Sequence, residues 1–292
     1  MKVRRVIDML TIIRNTVSKS RGLLVGWGIG LAALSVMIGS MFDMIADTNA
    51  MYDMVDAYVE AMPEMAAMFN MDQMGTPIGW LDVQYFSILP LMLCLLVNGI
   101  GANMLARDEE DGTLDLILAH PISRTSLFWG RFFASTMVIV FLILISWGSL
   151  LLTMTWSNYF SIPAFDLLMP FVSLFCIIMF FMNISLLFAM IMPARSMASM
   201  LCGMFVGASF FITLLSEVIE ELQRVSDFSP LAYLETTSAV SDGLSLNYFI
   251  MFVAINLILA IVSWRLFQSR DIRVGGEGSW RLQNLKYIFN KN

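Results

Sequence analysis

The chain has 292 residues, 58% of them hydrophobic and 14% charged, with a mean hydropathy of +0.76. Soluble domains carry about 25% charged residues, so a chain this poor in charge cannot cover a wholly water-facing surface, and lipid must be one of its solvents. The formal net charge of −6 averages over two opposite faces and does not by itself point to a basic partner. Cys94, Cys176 and Cys202 fall in apolar runs and read as small hydrophobes. With His120 the single histidine, no Cys/His metal-ligand spacing exists.

Taken in chain order, residues 1–21 come first. Val3, Val6, Ile7, Leu10, Ile13 and Val17 recur at helical spacing, while Lys2, Arg4, Arg5, Arg14 and Lys19 hold other positions. The pattern predicts an amphipathic helix in the membrane interface, its cations near anionic headgroups; the plain alternative is a solvated tail. Apolar runs able to span a bilayer, about 20 residues each, follow at 22–42, 84–105, 131–155, 167–192, 197–216 and 248–267. The expected fold is all-α and polytopic, with one six-span domain over 22–267 and a basic tail over 268–292. The first run does not read as a signal peptide, because a polar stretch precedes it, its apolar core is too long and no A-x-A site follows.

Charge sets the expected orientation. With both termini in the cytoplasm, 16 of the 17 basic residues lie inside, Arg224 alone outside, and 15 of the 23 acids lie outside. Five or seven spans would move the C-terminal basic cluster outside, against the positive-inside rule. Trp80 and Trp156 then mark outer boundaries, Trp129 and Trp264 inner ones. In the long first outer loop, 43–83, Met51, Met54, Val55, Tyr58 and Met62 precede Pro63, and Met65, Met68 and Phe69 follow. That spacing predicts two short helices. The second outer loop, 156–166, is short. The third, 217–247, is expected to open with a helix over 217–228 that continues from the fifth span and stops at Ser229-Pro230.

The spans lack Asp, Glu, Lys, Arg and His in their interiors, which weakens any reading as a proton-coupled transporter or charged-ring channel. There is no G-x-x-x-x-G-K-[ST] phosphate loop, so ATP, if used, is bound by another polypeptide. H-E-x-x-H, G-x-S-x-G and paired intramembrane aspartates are missing too, and an enzyme is not expected.

The richest segment is the inner connection Arg107-Asp108-Glu109-Glu110-Asp111-Gly112-Thr113-Leu114-Asp115-Leu116-Ile117-Leu118-Ala119-His120-Pro121-Ile122-Ser123-Arg124. Four acids precede a short apolar helix, favourable at a helix N-terminus, with Asp111 or Thr113 as N-cap and Pro121 as terminator. Leu114, Leu116, Ile117 and Leu118 sit on a connection too small to bury them. They need either a partner groove or the inner ends of neighbouring spans.

The string Glu109-Glu110-x-Gly112-Thr113-Leu114-Asp115-x-x-Leu118-x-x-Pro121-Ile122-Ser123-Arg124, followed by Gly130-Arg131, resembles the signature of type-2 ABC exporter permeases. That pattern reads E-x-x-G-T-L-E-x-L-L-x-x-P-[IV]-S-R and then G-[KR]; Asp115 replaces the usual Glu. The amphipathic N-terminal helix, the large first outer loop with Met62-Pro63-Glu64 and the six spans agree in outline. The resemblance implies that Glu109, Glu110, Gly112, Thr113, Leu114, Asp115, Ile117, Leu118, Pro121, Ser123 and Arg124 form the coupling segment. It would dock on a separate ATPase subunit, present in two copies, which holds the ATP and Mg. This chain would bind no cofactor. A second permease copy or a paired permease would complete an exporter of an amphiphilic or hydrophobic compound in a prokaryotic cytoplasmic membrane.

Weaker signals accompany this. Gly22, Gly26 and Gly30 in the first span and Ser199, Gly203 and Gly207 in the fifth have small-x-x-x-small spacing, read either as a permease–permease interface, for which the resemblance to type-2 exporters favours the fifth span, or as packing within one chain. Asn98, Asn103, Asn183 and Asn256 are candidates to line a substrate path, or else bond neighbouring helices. Met62, Met65, Met68, Met71 and Met74 admit a copper(I) reading, or an apolar helix stripe. The rival to the exporter is a membrane sensor or resistance scaffold docking a cytoplasmic regulator through the same loop. Lipid is an expected partner; nucleic acid is not.

Overall fold

The computed structural model describes residues 2–46, 50–68, 74–120 and 122–269. Among these the chain is helical throughout, with turns and no strand, and six helical segments are long and apolar enough to cross a membrane. The fold is therefore that of an all-α polytopic membrane protein. Pro121 and the tail 270–292 lie outside the described residues, as do Phe69 and Met71.

α1 (Lys2–Lys19) is joined to α2 (Arg21–Ala46) through Ser20, whose amide and hydroxyl both donate to the Thr16 carbonyl. After α2 come two short helices, α3 (Ala50–Ala61) and α4 (Pro63–Met68). Met62 is the break between them. Pro63 starts the second helix, where a missing N–H costs nothing.

The second span is two-part. α5 (Pro77–Leu81) is N-capped by Thr76, which accepts from the Gly79 amide at 3.0 Å. A π-helical segment, Asp82–Phe86, leads on to α6 (Leu89–Asn103). It thus starts seven residues before the apolar run, because Thr76-Pro77 is a strong helix start.

α7 (Ala106–Glu110) and α8 (Leu114–Ala119) form the next connection. α9 (Arg124–Thr153) also begins seven residues early, capped by Ser123, whose hydroxyl accepts from the Ser126 amide at 3.1 Å. α10 (Ala164–Ile191) and α11 (Arg195–Ser216) follow. The helix expected to continue from α11 is instead separate. Ile219 is extended, and α12 covers only Glu220–Ser226. A 3-10 turn (Pro230–Tyr233), α13 (Thr237–Ser241) and α14 (Leu246–Ser269) complete the described chain.

α10 is apolar all round, as a central membrane helix should be, and it is the most buried of the six spans, α14 the least. It packs on α6, α11 and α14, while α2 and α1 pack on α9. The bundle has a basic end, holding Arg107, Arg124, Arg131 and Arg195, and an acidic end.

At the acidic end, carboxylates fasten the connections. Asp43 accepts from Ser157 Oγ (2.5 Å) and from the amides of Asn158, Tyr159 and Phe160 (2.9, 3.1 and 3.3 Å), so α2 holds the α9–α10 turn. Asp82 accepts from Thr236 Oγ1 and Thr237 Oγ1 at 2.5 and 3.3 Å.

Candidate functional site

The connection between the second and third spans is built from two short helices, and three of its acids belong to the first of them. Asp108, Glu109 and Glu110 lie in α7; they are not a coil leading into α8. Asp111 is the C-cap of α7. Gly112 has φ +66°, a left-handed conformation that glycine adopts without strain. The Gly112 amide donates to the Glu109 carbonyl at 3.2 Å and the Thr113 amide to the Asp108 carbonyl at 2.9 Å. This pair of bonds is a Schellman closure. Thr113 occupies the position before α8 but does not cap it; its hydroxyl turns back to the Asp108 carbonyl at 3.3 Å.

Each side of α7 is tied to a different span. Arg131 of α9 ion-pairs with Asp108, and its Nη1 donates to the Met104 carbonyl at 2.8 Å; the two charged side chains are only 13% and 21% exposed. On the other side, Glu110 meets Arg195 at the start of α11, with Nε 3.2 Å from Oε2 and the Arg195 amide donating to Oε1 at 2.8 Å. A carboxylate on the first amide of a helix also suits the helix dipole. Arg195 Nη1 reaches Asn103 Oδ1 at 2.6 Å. α7 is thereby a yoke between the third and fifth spans.

α8 turns one face inward. Leu114 is 3% exposed and belongs to the core, and Ile117 and Leu118 pack on that core. Leu116 is 69% exposed, with Asp115, Ala119 and His120 exposed around it. Of the expected docking leucines, Leu114 therefore anchors the helix to its own chain, because the connection folds back on the spans. Leu116, which fell on a variable position of the string, holds the outward place. A helical wheel carried that signal: Leu114, Ile117 and Leu118 share a face, and Leu116 is about 200° from Leu114 at 100° per residue. Ser123 caps α9, and Arg124 Nη1 donates to the Gln268 carbonyl at the end of α14 (3.4 Å).

Three of the four asparagines hold helices together. Asn98 donates to the Ser199 carbonyl of α11 (2.8 Å) and accepts from Ser185 of α10 (2.8 Å). Asn183 donates to Asn256 Oδ1 at 2.8 Å, and Asn256 to the Cys176 carbonyl at 3.0 Å. Asn103 is at the basic end on Arg195. The fifth-span stripe is partly spent within the chain, since a Cβ on Gly203 would meet Asn98 Nδ2 at 3.5 Å, whereas one on Gly207 would meet nothing. The first-span stripe is open at Gly22, Gly26 and Gly30. Gly26 and Gly30 line a cavity of about 450 Å³ with Leu31, Leu34, Gln84 and Met92 among its walls. Sequence reasoning missed it, because the π-helical segment that carries Gln84 has no periodic signature. Among the methionines between the first two spans, Met62 and Met65 are exposed, while Met74 is buried.

The family model for ABC-2 family transporter proteins matches residues 10–272. The chain belongs to the ABC-2 transporter family. Membership makes it the membrane permease of an ABC transporter, a transport component and not a catalytic subunit. No match is found among curated proteins. In this ABC-2 permease several residues of the signature hold the connection itself: Gly112 closes α7, Glu110 braces it beside the neighbouring Asp108, Leu114 anchors α8, and Ser123 caps the third span.

Proposed function

We propose that this permease is driven by a separate ATPase subunit docked on α8, and that the working transporter contains two ATPases and two permease copies or a paired permease. The observation that carries the reading is the outward Leu116, set on a helix whose Leu114, Ile117 and Leu118 pack inward and whose base is braced to two spans. An isolated exposed leucine is ordinary; one rimmed by Asp115 and His120 at the tip of a braced connection suits a groove on a partner. Force applied there passes through Arg131 to the third span and through Arg195 to the fifth. The acids of α7 and α8 set the docking register against basic residues of the ATPase more than they supply affinity.

The basic end is cytoplasmic in this reading, which follows from the charge asymmetry, and the membrane is a prokaryotic cytoplasmic membrane. The substrate is an amphiphilic or hydrophobic compound moved outward. The cavity between α2 and the second span supports that class, being apolar with Gln84 as its polar contact. Asn98, Asn183 and Asn256 hold helices together, and the cavity is the better candidate for the substrate path.

The test is co-purification in mild detergent with the product of a neighbouring gene, assayed for ATP hydrolysis. Leu116→Asp is expected to abolish recovery of the ATPase and its permease-dependent ATP hydrolysis. Full recovery with that variant would remove α8 as the docking helix.

A further inference from the structure

α1 is more than a membrane anchor. It lies against the start of α9 at Gly130, where a Cβ would come within 2.9 Å of Ile12 Cγ2, 3.1 Å of Ile12 Cβ and 3.5 Å of the Met9 carbonyl. Only glycine lets the two helices approach this closely. The next residue along α9 is Arg131, the group that holds Asp108 and the Met104 carbonyl at the base of α7. One turn of one helix thus carries both the seat of α1 and the grip on the coupling connection.

The other side of α1 faces away from the bundle. Leu10 is 58% exposed and Arg14, one turn on, is exposed. Lys19 and Arg21 are exposed at the junction with α2, and no ion pair among the described residues engages Arg14, Lys19 or Arg21. Over residues 9–42 the chain has no acid. An apolar side chain beside unpaired cations, at the level where a membrane span begins, is complementary to the anionic headgroup layer of a bilayer.

We propose that α1 reads the anionic lipid of that leaflet and transmits its seating through Gly130 and Arg131 to α7, so that lipid charge regulates ATP turnover of the assembled transporter. The inference rests on the coupling reading above. With headgroups bound, α1 is pressed on α9 and Arg131 keeps α7 in register. Without them α1 loosens and the yoke is slack. A ligand shifts such an equilibrium only through a difference in affinity for the two states, and here that difference is the number of cations placed at the anionic surface.

The permease with its ATPase is placed in nanodiscs of phosphatidylcholine, alone or with an equal part of phosphatidylglycerol, and ATP hydrolysis is measured beside ATPase recovery on the discs. The anionic lipid is expected to raise turnover about fivefold, the weight of one basic residue at such a surface. Arg14→Gln with Arg21→Gln should abolish the rise while leaving turnover in phosphatidylcholine and ATPase recovery unchanged. Gly130→Ala, which lifts α1 from α9, should blunt the rise with the cations intact. A full rise in the double variant would overturn the lipid assignment, and a full rise in Gly130→Ala would overturn the route through α9. Loss of ATPase recovery by Leu116→Asp is scored separately, so a failure of docking is not mistaken for a failure of lipid control.

Discussion

Leu114 and Leu116 are two positions apart and chemically identical, yet the structure gives them opposite tasks. Leu114→Ala empties a buried site and should cost about 2–5 kcal/mol, read as a lowered melting temperature in detergent. Leu116→Asp replaces an exposed side chain and should stay within about 0.5 kcal/mol of the parent while losing the ATPase. If both variants were equally destabilised, the inward–outward division of α8 would be wrong. Gly112 is a third case. An alanine would meet no neighbour, but its backbone must hold φ +66°, at a cost of about 1–2 kcal/mol. Gly112→Ala should therefore lower the unfolding temperature with no change in packing contacts. A neutral effect would mean that the turn relaxes to negative φ.

At the scale of elements, the ion pairs around α7 are unequal. Arg107 and Asp111 are four apart on the surface, 66% and 58% exposed, and such a pair contributes about 0.3–0.5 kcal/mol. Asp108 and Arg131 are largely shielded, and Arg131 also donates to the Met104 carbonyl. A double-mutant cycle on Asp108→Asn and Arg131→Gln should give an interaction energy of about 1–3 kcal/mol, measured by chemical denaturation. The same cycle on Arg107 and Asp111 should give a few tenths. Equal values would deny that the Asp108–Arg131 pair holds α7 more firmly than a surface pair does. The element boundaries teach a related lesson. Thr76 and Ser123 start helices well before the apolar runs begin, because a cap and a proline act on the backbone whether or not the next residue is hydrophobic. The α11 break at Ile219 lacks any such punctuation in the sequence.

For the whole molecule, the charge asymmetry predicts which end meets which compartment. Cys94, Cys176 and Cys202 are buried, so the native chain gives little background in thiol labelling. A cysteine replacing exposed Ala119 should react only from the cytoplasmic side, and one replacing exposed Asp242 only from the outside. Reversed labelling would invert the orientation and place α8 beyond the reach of any ATPase.

Sequence alone determined the number of spans, the amphipathic first helix, the uneven distribution of charge and the family's signature string, since each rests on local composition or spacing. Long apolar runs must find lipid whatever their neighbours, and the string is contiguous. Tertiary structure alone decided which leucine of α8 faces out, that Asp108 and Glu110 brace α9 and α11, that the asparagines hold helices, and that Gly26, Gly30 and Gln84 border one cavity. Those facts depend on which residues distant in the chain meet across helix seams. No single helix carries that information, because its periodicity says which residues share a face but not what that face will touch.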